Sequence, residues 1–159
     1  MENKFLKQYF LLSFLLFSTL FLSQTKKINL IILNDREISR SIYDVTLKPI
    51  TDDSIANPII GKYVPGDLVL ESKDFDKLLS SNNKDFEMSF TAISTVNPNL
   101  VKGINYNMVI PKTYLNYDYL IINVFNMYDK ISKKKYNKLI KNNKEYYVVI
   151  ETPGSMKFD

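Results

Sequence analysis

The sequence predicts an all-β fold: an antiparallel β-sandwich of about seven strands with one or two short connecting helices, preceded by an N-terminal signal helix. Three observations predict it. Apolar residues recur at every second position in several stretches between residues 43 and 151. Gly, Pro, Asn and Asp punctuate those stretches as turns. The regular strand–helix alternation of a parallel sheet is missing. A small closed barrel is the alternative arrangement of the same strands.

The first element is an address. Lys4 and Lys7 form a short positive region, and residues 9–22 are an uncharged run of 14 residues. That length fits the apolar part of a secretory signal peptide. A membrane-crossing helix needs about 20 residues, and Lys7, Lys26 and Lys27 stop the run from extending. Residues 1–23 are expected to be a signal peptide cut after Ser23, leaving one domain over residues 24–159. Phe21 is large for its place before the cut, so an uncleaved anchor is the alternative. Attachment of lipid through a cysteine is excluded, because the chain has none. Removal of Glu2, Lys4 and Lys7 would take the net charge from +4 to about +3.

The strands follow in order. Residues 28–33 are apolar on both faces, as a covered strand requires, and Asn34 with Asp35 turns the chain. Tyr43, Val45 and Leu47 alternate with polar residues. Pro58, Gly61, Pro65 and Gly66 break the next region, before a short strand through Leu68 and Leu70. Ser72 is expected to N-cap a short helix with Phe75, Leu78 and Leu79 on one face. Phe86, Met88, Phe90 and Ala92 form one alternating series, and Ile104, Tyr106, Met108 and Ile110 another. Asn97, Pro98 and Asn99, then Lys102 and Gly103, frame the loop between them. Residues 119–125 are again apolar on both faces. Residues 132–141 suit either a short amphipathic helix through Tyr136, Leu139 and Ile140 or one arm of a hairpin. Tyr146, Val148 and Ile150 make a last half-buried strand, ended by Pro153 and Gly154.

Composition closes many chemistries. Without Cys or His there is no thiolate zinc site, no cysteine nucleophile and no Ser-His-Asp triad. Four scattered glycines give no phosphate cradle. Ser-x-x-Lys occurs at Ser81 and Lys84 and at Ser132 and Lys135, which a lysine-rich chain produces by chance, in polar runs that would not desolvate an amine. Paired carboxylates for hydrolysis could come from Asp52 and Asp53, Asp74 and Asp76, or Glu71. Backbone capping is their ordinary explanation. Asp52, Asp53 and Asn57 make an irregular calcium candidate. No catalytic residue, no metal ligand and no cofactor is assigned.

The most conspicuous feature is a lysine run. Lys130, Lys133, Lys134, Lys135, Lys138, Lys141 and Lys144 occur without an acid among them. The first six are the candidate binding residues for an anionic partner, and the partners considered are an envelope protein, a polysaccharide or an anionic membrane surface. A solvated face is the ordinary explanation, since only Arg36 and Arg40 are arginine and lysine is common throughout. Phosphate gripped bidentately would call for arginine, and export argues against nucleic acid. Tyr114, Tyr117, Tyr119, Tyr128, Tyr136, Tyr146 and Tyr147 crowd the last third; on an exposed sheet face they could bind sugars or peptides, but they more often have buried rings.

The C-terminal third, from the run Tyr119-Leu-Ile-Ile-Asn-Val-Phe to Tyr146-Tyr-Val-Val-Ile-Glu-Thr-Pro-Gly154, resembles the closing strand pair of small secreted bacterial β-sandwich domains of the transthyretin-like and immunoglobulin-like kinds. The resemblance implies a sandwich and carries no site residue. The expectation is an exported, non-enzymatic β-sandwich protein with a binding or structural role in the periplasm or at the cell surface. The alternatives are a small carboxylate-dependent secreted hydrolase, and an envelope protein held by an uncleaved anchor that binds anionic surfaces through its lysines.

Overall fold

The computed structural model describes residues 24–51, 57–80, 82–97, 100–140 and 144–158. The expected signal peptide, Asp52, Asp53, Ser81 and Lys141 lie outside the described residues. Strands β1 (Thr25–Asn34), β2 (Glu37–Ile38), β3 (Ile42–Ile50), β4 (Ile59–Ile60), β5 (Lys62–Val64) and β6 (Gly66–Glu71) come first. Helix α1 (Ser72–Leu79), β7 (Asp85–Asn97) and β8 (Leu100–Pro111) follow. A 3₁₀ turn at Lys112–Asn116 leads to β9 (Leu120–Asn126), helix α2 (Lys130–Tyr136), β10 (Tyr146–Thr152) and β11 (Ser155–Phe158).

The strands form two sheets. The larger runs β11-β10-β9-β1-β6-β5, with β2 also paired to β1; the smaller runs β4-β3-β7-β8. Each sheet ends in edge strands, so the barrel alternative falls. The all-β expectation stands, but the wholly antiparallel version does not. β1 and β9 run parallel, from Leu30 opposite Leu120 to Asn34 opposite Val124. Parallel neighbours need a long crossover, and the chain supplies one by building the smaller sheet before it returns as β9. The strand count also exceeds the expected seven, because short strands flank Gly61 and short hairpin returns make β2 and β11. At Gly61 the chain passes from one sheet to the other. A Cβ there would lie 2.7 Å from Leu68 Cδ1, so glycine permits the close crossing.

The inward faces share one core. Phe86, Met88, Phe90 and Ala92 on β7 and Ile104, Tyr106, Met108 and Ile110 on β8 are all buried, as their alternation requires. Leu30, Ile32, Leu68, Leu70, Ile122 and Val148 meet them from the larger sheet. Tyr43 departs from its expected inward direction and is 51% exposed. Asp44 takes a φ of 53° within a bulge between Tyr43 and Thr46, and the extra residue turns Tyr43 to the opposite face. Lys102 and Gly103, expected in a loop, lie within β8 and pair with Ser94 and Ile93.

The larger sheet is covered on its outer face too, over β9 and β10. Phe125, Tyr136, Tyr147 and Val149 form a second apolar cluster. Tyr147 stacks on Tyr136 at 5.0 Å, and Tyr136 lies 4.5 Å from Phe125. α2 therefore lies across β9 and β10, which makes β10 buried on both faces rather than half-buried. The helix begins two residues before the expected stretch and ends at Tyr136; Leu139, expected on its apolar face, is 53% exposed. At α1, Leu78 is buried and Phe75 partly so, whereas Leu79 faces water. Ser72 is the first helical residue, not the cap; its N–H and hydroxyl both donate to the Gln24 carbonyl at 2.8 Å.

Candidate functional site

Asn34 closes β1, and the next two residues, Asp35 and Arg36, take φ values of 50° and 77°. Both central residues of a two-residue hairpin turn thus occupy the left-handed region, the geometry that matches strand twist. The turn aims the Asp35 carboxylate at the end of β9. Oδ1 accepts from the Asn126 backbone N–H at 3.0 Å and from the Ser132 hydroxyl at 2.9 Å. Oδ2 accepts from the Asn126 side-chain amide. Asn126 Oδ1 in turn accepts from the N–H groups of Tyr128 (3.0 Å) and Asp129 (2.9 Å). Asp129 caps α2 by accepting from the Ser132 N–H at 2.7 Å. Two carboxylates are thereby joined through one buried serine, and the β1–β2 turn is clamped to the β9–α2 connection.

The two acids experience opposite surroundings. Burial pushes the Asp35 carboxyl above its ordinary value, against the pull of the Ser132 and Asn126 donors, and the nearby Asp129 charge adds to the rise. Asp129 is held below the ordinary value, chiefly by the Ser132 backbone N–H.

Beside this clamp opens a cavity of about 770 Å³. Ile93, Ser94 and Thr95 of β7 line it together with Glu37, Tyr128, Lys130 and Ile131. Its floor is Asn34, whose amide donates to Ser94 Oγ at 2.8 Å and whose Oδ1 accepts from the Tyr106 hydroxyl at 3.2 Å. Burial raises the Tyr106 hydroxyl to about 12. The floor is thus a closed set of paired polar groups. A general acid or base needs an oxygen free to reach substrate. Both Asp35 oxygens are engaged by donors and Asp129 Oδ2 holds the helix end, while Glu37, the third carboxylate lining the cavity, is exposed.

The structure separates the expected residues. Lys130, Lys133, Lys134, Lys135 and Lys138 are all exposed. Ser132 and Tyr136, one turn apart, face the sheet, which leaves the intervening lysines pointing outward. Among the described residues none of these five lysines joins an ion pair. Lys135 Nζ lies 5.0 Å from the Tyr136 ring. Ser132 is fully buried with its hydroxyl given to Asp35, so it and Lys135 do not form a nucleophile–base pair. Glu71 pairs with Lys73 and Asp74 with Lys77, each at 2.7 Å. Tyr136, Tyr146 and Tyr147 have buried rings, while Tyr117 and Tyr119 are exposed. The Asp35, Asn126, Asp129 and Ser132 cluster was not expected. Its one local signal is Asp129 three residues before Ser132, a helix-capping pattern.

Among the described residues no group of three or more Asp or Glu is placed to hold a metal ion, and no helix is long and apolar enough to cross a membrane. Comparison with protein-family models, curated proteins and solved structures finds no match for the chain.

Proposed function

We propose that this is an exported, non-enzymatic β-sandwich protein that works by contact in the periplasm or at the cell surface, with the outward lysines of α2 as its contact surface for an anionic partner. The observation that carries the reading is the engagement of Asp35 and Asp129. They are two of the three carboxylates that line the cavity, with Glu37 the third, and both Asp35 oxygens and Asp129 Oδ2 serve to hold the turn and the helix. Five exposed lysines that have no acidic partner among the described residues lie on the helix and connection beside them.

Export is supported by the uncharged run at residues 9–22 behind Lys4 and Lys7. Intact-mass measurement on fractionated cells tests this, with a chain beginning at Gln24 outside the cytoplasm as the expected result. A chain retaining Met1 in the cytoplasm overturns it. The contact surface is tested by binding to heparin at low and high salt. Binding should weaken with salt and in a variant carrying Lys133→Glu, Lys134→Glu, Lys135→Glu and Lys138→Glu. Binding indifferent to both removes the lysines from the reading.

A further inference from the structure

We infer that the end of the sandwich that carries α2 docks on an anionic lipid bilayer, with Ile38, Ile93 and Ile131 entering the interface and the α2 lysines against the headgroups. The inference deepens the contact reading and rests on it. Ile131 is 61% exposed, Ile38 58% and Ile93 45%. Single exposed isoleucines are ordinary on protein surfaces, but these three line two cavities that share Asn34, Glu37 and Ile93. Ile93 and Ile131 line the cavity beside the Asp35 clamp. Ile38 and Ile93 line a smaller one next to it, of about 230 Å³. The rim of the two cavities therefore carries one isoleucine each from β2, β7 and α2.

The charges on the rim select the partner. Lys130 adjoins Ile131, and Lys133 and Lys134 lie one turn along the same helix. Arg40 stands beside Ile38 in the smaller cavity. Three acids share the rim, Asp35, Glu37 and Asp129; both Asp35 oxygens accept from Asn126 and Ser132, and Asp129 Oδ2 is turned to the Ser132 N–H. A polysaccharide would engage the lysines and leave the isoleucines in water. A bilayer interface accepts aliphatic side chains at the acyl boundary and lysines at the headgroups together. Each lysine held near an anionic leaflet strengthens partition about fivefold.

The chain contains no tryptophan, so Ile131→Trp creates a single fluorescent reporter at an exposed position. With mixed phosphatidylglycerol–phosphatidylcholine vesicles its emission should shift to the blue and be quenched by brominated acyl chains. Lys133→Glu together with Lys134→Glu should weaken partition at least tenfold, and Ile131→Asn about tenfold. Unshifted emission with salt-sensitive heparin binding retained would overturn lipid docking and leave the contact reading standing. Binding to neither vesicles nor heparin would overturn both. Self-association abolished by Ile131→Asn, without vesicle binding, would make a second copy the occupant and overturn the lipid.

Discussion

The hydroxyl of Tyr146, on the larger sheet, takes both main-chain hydrogen bonds of Asn107 on the edge strand of the smaller one. It accepts from the Asn107 N–H at 2.8 Å and donates to the Asn107 carbonyl at 3.1 Å. The Tyr146 ring meanwhile packs against Tyr106 at 4.9 Å in the core. One side chain thus joins the sheets and blocks the middle of the twelve-residue edge strand β8, which would otherwise offer a template for another strand.

Tyr146→Phe should therefore have two effects. Stability should fall by about 1–2 kcal/mol, the usual loss for backbone bonds left to solvent. Self-association should rise as the β8 edge opens. Urea denaturation and sedimentation velocity read these separately, and a monomer of unchanged stability would contradict the role assigned to the hydroxyl.

The Asp35 clamp gives a pH signature. Its carboxyl binds a proton more tightly in the folded than in the unfolded chain. Its ionisation thus removes stability as pH rises from the ordinary carboxylate value through the raised folded one. Asp129 has the opposite sign: its contribution is present above its unfolded value and lost as pH falls through the lowered folded one. Relative to Asp35→Asn, the native protein should gain stability as pH is lowered through that upper window. Relative to Asp129→Asn, it should lose stability in more acid solution. Denaturation midpoints across a pH series check both slopes, and parallel curves for native protein and variants would contradict them.

Thr152 offers a stabilising change. Its hydroxyl is buried and, among the described residues, is the side-chain polar atom left without a hydrogen-bond partner. Thr152→Val keeps the shape and removes the unpaired group, so stability should rise by about 1 kcal/mol. A fall would mean that the hydroxyl is satisfied in solution.

The bulge at Asp44 makes a further test. A non-glycine residue with a φ of 53° is strained by its Cβ, and Asp44 is exposed. Asp44→Gly should stabilise by up to about 1 kcal/mol, while Asp44→Val should destabilise by more than that. The thermal midpoints should bracket that of the native protein.

The strand alternations on β7 and β8 were legible because burial of one face writes itself into every second residue. The doubly apolar run that became β9 announced its cover, although not that α2 would supply it. Tyr43 was misread because a single inserted residue inverts a face, and no local pattern marks the bulge. The exposed lysines were legible as a run, and their outward direction followed from Ser132 and Tyr136 sharing the opposite side.

What the sequence determined alone is the set of available chemistries, the sheet-forming segments and their apolar sides, because each depends on residue type or on neighbours a few positions apart. The parallel pairing of β1 with β9, the joining of Asp35 to Ser132 across 97 positions and the placing of Ile38, Ile93 and Ile131 around two neighbouring cavities were decided by the tertiary structure. Each brings together groups far apart in the chain, and the hydrogen bonds and packing that favour the encounter exist only once the sheets have closed on a common core.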